Sequence, residues 1–235
     1  MTRRQKLITT VICLSAILCC LVTGSIALLI AETQTIENTF TPSNIAIELK
    51  EDGAVENKQN FQMVPGATLP KAATVKVTND VPCYVFLEVK KVNNVDNYIA
   101  YAVNTAWKLL PKVQGEDANT LIYYMAVDTK NASTTIDVLA AGEFAFVLGD
   151  KTTAYKWNAN EVLVLPTVTK TMMDALSAEG AQMPTLSFAA YAIQSEYLPY
   201  GDLEDNEANA DARARIAWDT LKASSVPGTD TSSEG

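Results

Sequence analysis

The sequence predicts an all-β chain, an antiparallel sandwich of jelly-roll type with one or two peripheral helices and an N-terminal signal helix. Three observations lead there. β-branched and aromatic runs recur about every ten residues, with polar turns between them. Several of these runs alternate apolar and polar positions with a period of two, the pattern of a half-buried strand. The strand–helix alternation that builds a parallel sheet is missing. At 235 residues, 48% of them hydrophobic and 19% charged, the chain can bury one sizeable core and is too apolar for general disorder.

The elements follow in order. Arg3, Arg4 and Lys6 give a positive start, residues 7–22 are uncharged and apolar, and Thr23-Gly24-Ser25-Ile26-Ala27 is a small-residue end. Ser25 and Ala27 fit the small-x-small pattern of signal processing, which places a cut after Ala27. The uncharged run continues to Ala31, however. As a helix, residues 7–31 would reach about 37 Å at ~1.5 Å per residue, so an uncut membrane anchor is the competing reading. Either reading puts the rest of the chain outside the cytoplasm, extracellular or on the cell surface, touching membrane only through its N-terminus. The predicted organisation is a signal over 1–27, one β domain over 28–222 and a disordered Ser/Thr/Gly/Pro tail over 223–235.

Within the domain, Ile45, Ile47 and Leu49 alternate with Ala46, Glu48 and Lys50, and Val75 and Val77 alternate with Lys76 and Thr78. Cys83-Tyr84-Val85-Phe86-Leu87 is apolar on both faces, as a central strand requires. Further strands are predicted near residues 98–103, 121–127, 134–139, 143–148, 162–168 and 185–195. Two helices interrupt them. One covers residues 169–179 and stops at Gly180. The other carries Ala210, Ala214, Ala217, Trp218 and Leu221 on one stripe, with Asp211, Arg215 and Asp219 as an i,i+4 series on another face, and ends at Lys222. Trp218 is the expected anchor of that helix.

Charge and composition exclude whole classes of function. Three of the 18 basic residues lie in the first six positions, so residues 28–235 carry 15 basic and 27 acidic groups. Such a surface repels nucleic acid. Of the 4 cysteines, Cys13, Cys19 and Cys20 lie in the apolar N-terminal run, which leaves Cys83 without a partner for a disulfide and reads as a small buried hydrophobe. Histidine is absent, which removes the commonest general base, the usual triad and the His-containing zinc sites. HExxH, GxSxG, Walker and GxGxxG patterns are missing too. No catalytic residue, cofactor or metal is assigned, and the chain reads as a non-enzyme.

Three weaker signals remain. Asp202, Glu204, Asp205, Glu207 and Asp211 form an acidic cluster, either a calcium site or a solvated loop before a helix. Asn131-Ala132-Ser133 matches the glycosylation triplet, a very common coincidence. Tyr98, Tyr101, Tyr123 and Tyr124 are either an aromatic surface for carbohydrate or core and cross-strand partners.

The order of short motifs resembles a family. Gly24-Ser25-Ile26-Ala27 precedes Asn38-Thr39-Phe40-Thr41-Pro42-Ser43-Asn44-Ile45-Ala46-Ile47, and Met63-Val64-Pro65-Gly66-Ala67-Thr68-Leu69 leads into Val75-Lys76-Val77-Thr78-Asn79. This is similar to the TasA/camelysin-like exported proteins of Gram-positive bacteria. Ser187-Phe188-Ala189-Ala190-Tyr191-Ala192-Ile193-Gln194, followed by the Trp218 helix, resembles clostridial members. Ser43 departs from the family, where glycine is commoner, and Leu28-Leu29 replaces an aromatic residue. The resemblance implies a jelly roll trimmed by a dedicated signal peptidase and a secreted subunit of extracellular fibres or biofilm matrix. Its partner would be a second copy of itself, joined when the N-terminal strand of one subunit fills the sheet of the next. That assembly strand would span residues 28–49, with Ile36, Phe40, Ile45 and Ile47 as its plugs. Pairing of the same segment within its own domain is the alternative. At the level of function, the alternative is a membrane-anchored surface binding or adhesion module. Camelysin-like proteins also carry a metalloprotease label, but without histidine the usual protease zinc site cannot be built here.

Overall fold

The computed structural model describes residues 45–52, 61–128 and 132–225. The described chain is all-β with two helices, and every strand pair in it is antiparallel. Two sheets dominate. One has the order β1 (Ile45–Glu51), β3 (Ala73–Asn79), β9 (Ala132–Asp137). The other has the order β14 (Thr185–Gln194), β4 (Cys83–Val92), β8 (Thr120–Val127), β7 (Lys108–Leu109).

The alternation in the sequence explains how these sheets face each other. On β3, Ala73, Val75 and Val77 are buried while Lys76 and Thr78 are exposed. On β4 both faces are buried. Val85, Leu87 and Val89 join Val75, Val77 and Ile136 in the main core between the sheets. Tyr84 and Phe86 point the other way, into a second core under helix α2 (Ala210–Ser225). The large sheet is therefore covered on one face by the small sheet and on the other by α2. Trp218 anchors that helix as the sequence predicts. It is 4% exposed, with its ring 5.2 Å from Phe86 and 5.7 Å from Tyr191. Ala214 and Ala217 are fully buried beside it, and their small size lets the helix backbone approach the sheet.

Short strands close the remaining sides. β13 (Glu161–Val164) pairs with β2 (Thr68–Pro70) and β5 (Ile99–Ala100), and β10 (Leu139–Ala140) pairs with β6 (Ala102–Val103). Val164, Leu165 and Val168 form a third cluster, which Met172 and Met173 of helix α1 (Lys170–Leu176) cover. Thr169 caps that helix by accepting from the Met172 N–H.

Several expectations shift in detail. The strand predicted over 98–103 is two strands, because the chain changes partner at Tyr101, from β13 to β10. The one over 134–139 likewise breaks at Val138, whose N–H donates to Ala73 O at 2.9 Å. The strand predicted over 162–168 ends at Val164, where the chain turns toward α1. Helix α2 runs three residues past Lys222, to Ser225. A strand that the periodicity missed is β12 (Lys151–Trp157), paired with β11 (Gly142–Leu148). Its Lys-Thr-Thr start is exposed and shows no apolar alternation. The readable signal was the Gly149-Asp150 turn, with Gly149 at φ +60°. At the other end of this hairpin, a Cβ on Gly142 would sit 2.2 Å from the Trp157 ring, so only glycine fits.

Candidate functional site: a seam between two free strand edges

The first described strand is an edge strand. β1 pairs with β3 from Ile45↔Asn79 to Glu51↔Ala73, and among the described residues it has no hydrogen-bonded neighbour on its other side. β14 is an edge in the same sense, pairing only with β4. The two lie side by side without a ladder between them. Their inward residues differ from those of the central strands. Val75, Val77, Val85 and Leu87 are fully buried, whereas Ile45, Ile47, Leu49, Phe188, Ala190 and Ala192 pack on that core only half-buried. Backbone groups without a ladder partner among the described residues and incompletely covered apolar side chains thus coincide along one seam. That is the combination an added strand satisfies.

A buried ion pair closes one end of the seam. Lys71 is 7% exposed and its Nζ donates to both Glu51 carboxylate oxygens, at 2.9 and 3.1 Å. The same ammonium stands 5.0 Å from the centre of the Phe188 ring. The Asp52 N–H adds a bond to Ala72 O. These contacts fasten the end of β1 to its own domain.

Of the predicted assembly residues, Ile45 and Ile47 therefore sit in β1, half-buried and paired with β3. Ile36 and Phe40, like Ser25, Ala27 and the rest of the N-terminal segment, lie outside the described residues. So do Asn131 of the glycosylation triplet and residues 226–235 of the tail.

The other sequence candidates resolve as follows. Cys83 is fully buried, and burial, with Asp128 nearby, pushes its thiol up to about 11. The tyrosines separate. Tyr124 is buried under α2, donating to Asp211 Oδ1 at 2.6 Å, and Lys108 Nζ meets the same oxygen at 3.1 Å. Tyr98 packs against the third cluster. Tyr101 and Tyr123 line a shallow cavity of about 280 Å³ with Asp96 and Ile99, and burial raises both phenols. The four do not form one surface.

The acidic cluster disperses as well. Asp211 belongs to the Tyr124–Lys108 group, Asp205 pairs with Arg213 at 3.3 Å, and Glu204 accepts from Asn206. Among the described residues no group of three or more acids or cysteines is placed to hold a metal ion. No helix among them is long and apolar enough to cross a membrane.

Ion pairs hold α2 from the side. Arg215 meets the Glu116 carboxylate and Pro111 O. Burial raises the Glu116 carboxyl, but the Val113 N–H and Arg215 outweigh it and hold the group below its usual range. The Tyr124 hydroxyl, with help from Lys108 and against partial burial, holds Asp211 below its usual range too. Comparison with protein-family models, curated proteins and solved structures finds no match to this chain.

Proposed function

We propose that this chain is a secreted structural subunit, a jelly-roll sandwich of the TasA/camelysin-like kind that builds extracellular fibres or biofilm matrix by strand addition. The observation that carries the reading is the seam. Two neighbouring edge strands, β1 and β14, each have a ladder partner on one side only among the described residues and carry half-buried apolar side chains. On this reading, because Ile45–Glu51 pairs with β3 in its own domain, the part of the 28–49 segment left to give to a neighbour is residues 28–44, with Ile36 and Phe40 as its plugs. In extended form those residues span roughly 56 Å at ~3.3 Å each, more than the length of β14. Export, trimming after Ala27 by a dedicated signal peptidase and an extracellular location follow from the N-terminal pattern. A chain without histidine suits adhesive work better than histidine-dependent chemistry.

Electron microscopy and sedimentation of the protein released from cells test this. Filaments that form when the chain starts at Leu28 and vanish when it starts at Ser43 support it. Monomers persisting at high concentration, or filaments indifferent to loss of 28–42, overturn it.

A further inference from the structure

A second feature lies at one end of the large sheet, away from the assembly reading. Three strands terminate together there. Pro82 precedes β4, Asp128 follows β8 and Ser195 follows β14, and with Arg213 of α2 they border a cleft of about 370 Å³. Tyr197 stands on its rim at φ +63°, in the left-handed region that an aromatic residue occupies only at a cost, and its side chain is 93% exposed. No packing of that ring offsets the cost, and a glycine would fold more easily in its place.

The cleft behind the ring is rigidly built. The Arg213 guanidinium stacks on Tyr200 at 3.9 Å, Nη1 donates to Leu203 O at 3.1 Å, and the Tyr200 hydroxyl donates to Ser195 O at 2.8 Å. Arg213 Nε is buried without a hydrogen-bond acceptor, since Asp205 Oδ1, 3.3 Å away, stands off the N–H direction. Three carboxylates, Asp128, Glu196 and Asp205, line the same space.

The chemistry selects the ligand. Three acids against one guanidinium repel anions. A metal ion needs converging carboxylates, and among the described residues no such group is placed to hold one. A neutral sugar ring suits this lining. Its apolar face lies on the exposed tyrosine, and its hydroxyls donate to the acids. The volume falls within the ~300–1,000 Å³ of small-molecule sites. We infer that this cleft binds a neutral saccharide, with Tyr197 as the stacking platform and Asp128, Glu196 and Asp205 as the polar contacts. The inference does not require that the chains associate.

The full-length chain, in a detergent without a sugar headgroup, is titrated with maltose, cellobiose and N,N′-diacetylchitobiose, following heat and saturation-transfer NMR. At least one disaccharide is expected to bind, with an affinity unchanged between about 50 and about 500 mM salt, since no net charge is neutralised. Tyr197→Gly is expected to weaken binding at least about tenfold while leaving the melting temperature level or higher, because it removes a strained residue with no packing of its own. Failure of all three sugars at millimolar concentration overturns the inference. So does binding that Tyr197→Gly leaves intact. A trilysine peptide that binds in their place and fades with salt would make this a cation site, and also overturns it.

Discussion

Replacing Trp218 with alanine tests whether α2 is part of the domain or merely rests on it. The indole is 4% exposed and contacts two rings, Phe86 and Tyr191, with the Lys222 ammonium 4.5 Å from its centre. Truncating a buried Trp to Ala costs about 3–5 kcal/mol through lost transfer energy and the cavity left behind. Two aromatic pairs, each worth about 0.5–1.5 kcal/mol beyond area, place this site toward the upper half of that range. For a domain of this size one kcal/mol moves the melting temperature by about 2–4 °C, so a fall of roughly 8–20 °C is expected. Near-UV circular dichroism reads the melt, and trypsin reads the helix itself through Arg213, Arg215 and Lys222. The variant should be cut there faster than the parent. Trp218→Phe should fall in between, since it keeps a ring but a smaller one. A Trp218→Ala chain that melts within about 2 °C of the parent and resists trypsin equally would refute the packing described for α2.

Glu51→Ala should destabilise the chain by about 3–5 kcal/mol in urea unfolding, because it strands the buried Lys71 ammonium. The double change Glu51→Leu with Lys71→Met should recover most of that loss, and a double variant no better than the single one would count against the ion pair. Acid should loosen α2. The Glu116 and Asp211 carboxyls are both lowered in the folded chain, so their contribution is present above the unfolded carboxylate range and is lost as pH falls through the folded values. Tryptophan fluorescence should be steady above about pH 5 and change below about pH 4, with Asp211→Asn flattening the curve; a loss appearing only at alkaline pH would contradict the assignment. Cys83 should resist iodoacetamide at about pH 8 while folded, since its thiol is buried and pushed up to about 11. Alkylation at the rate of a free cysteine, measured by peptide mass spectrometry, would refute its placement.

Much of the fold was legible because periodicity is local. The Val75–Val77 alternation and the two-sided apolar run after Cys83 marked a strand buried on one face and a central strand, and the structure has them as β3 and β4. The Ala214–Ala217–Trp218 stripe marked the buried face of α2. Length and type of a single element depend on residues close in sequence. The candidate site was legible only in part. Ile45 and Ile47 were recognised as strand residues, but their half-burial beside Phe188 joins segments more than a hundred residues apart.

The amino-acid sequence by itself determined the all-β class, the central strand, the Trp218 anchor and the exclusion of histidine chemistry. Each of these follows from residue identity and spacing alone. Tertiary structure decided which strands lie at the edges among the described residues, which core Tyr123 and Tyr124 each join, that Glu51 finds Lys71, and that Tyr197 and Arg213 border one cleft. Partner choice between distant strands is settled by what the whole core can cover, and no window of neighbouring residues carries that information.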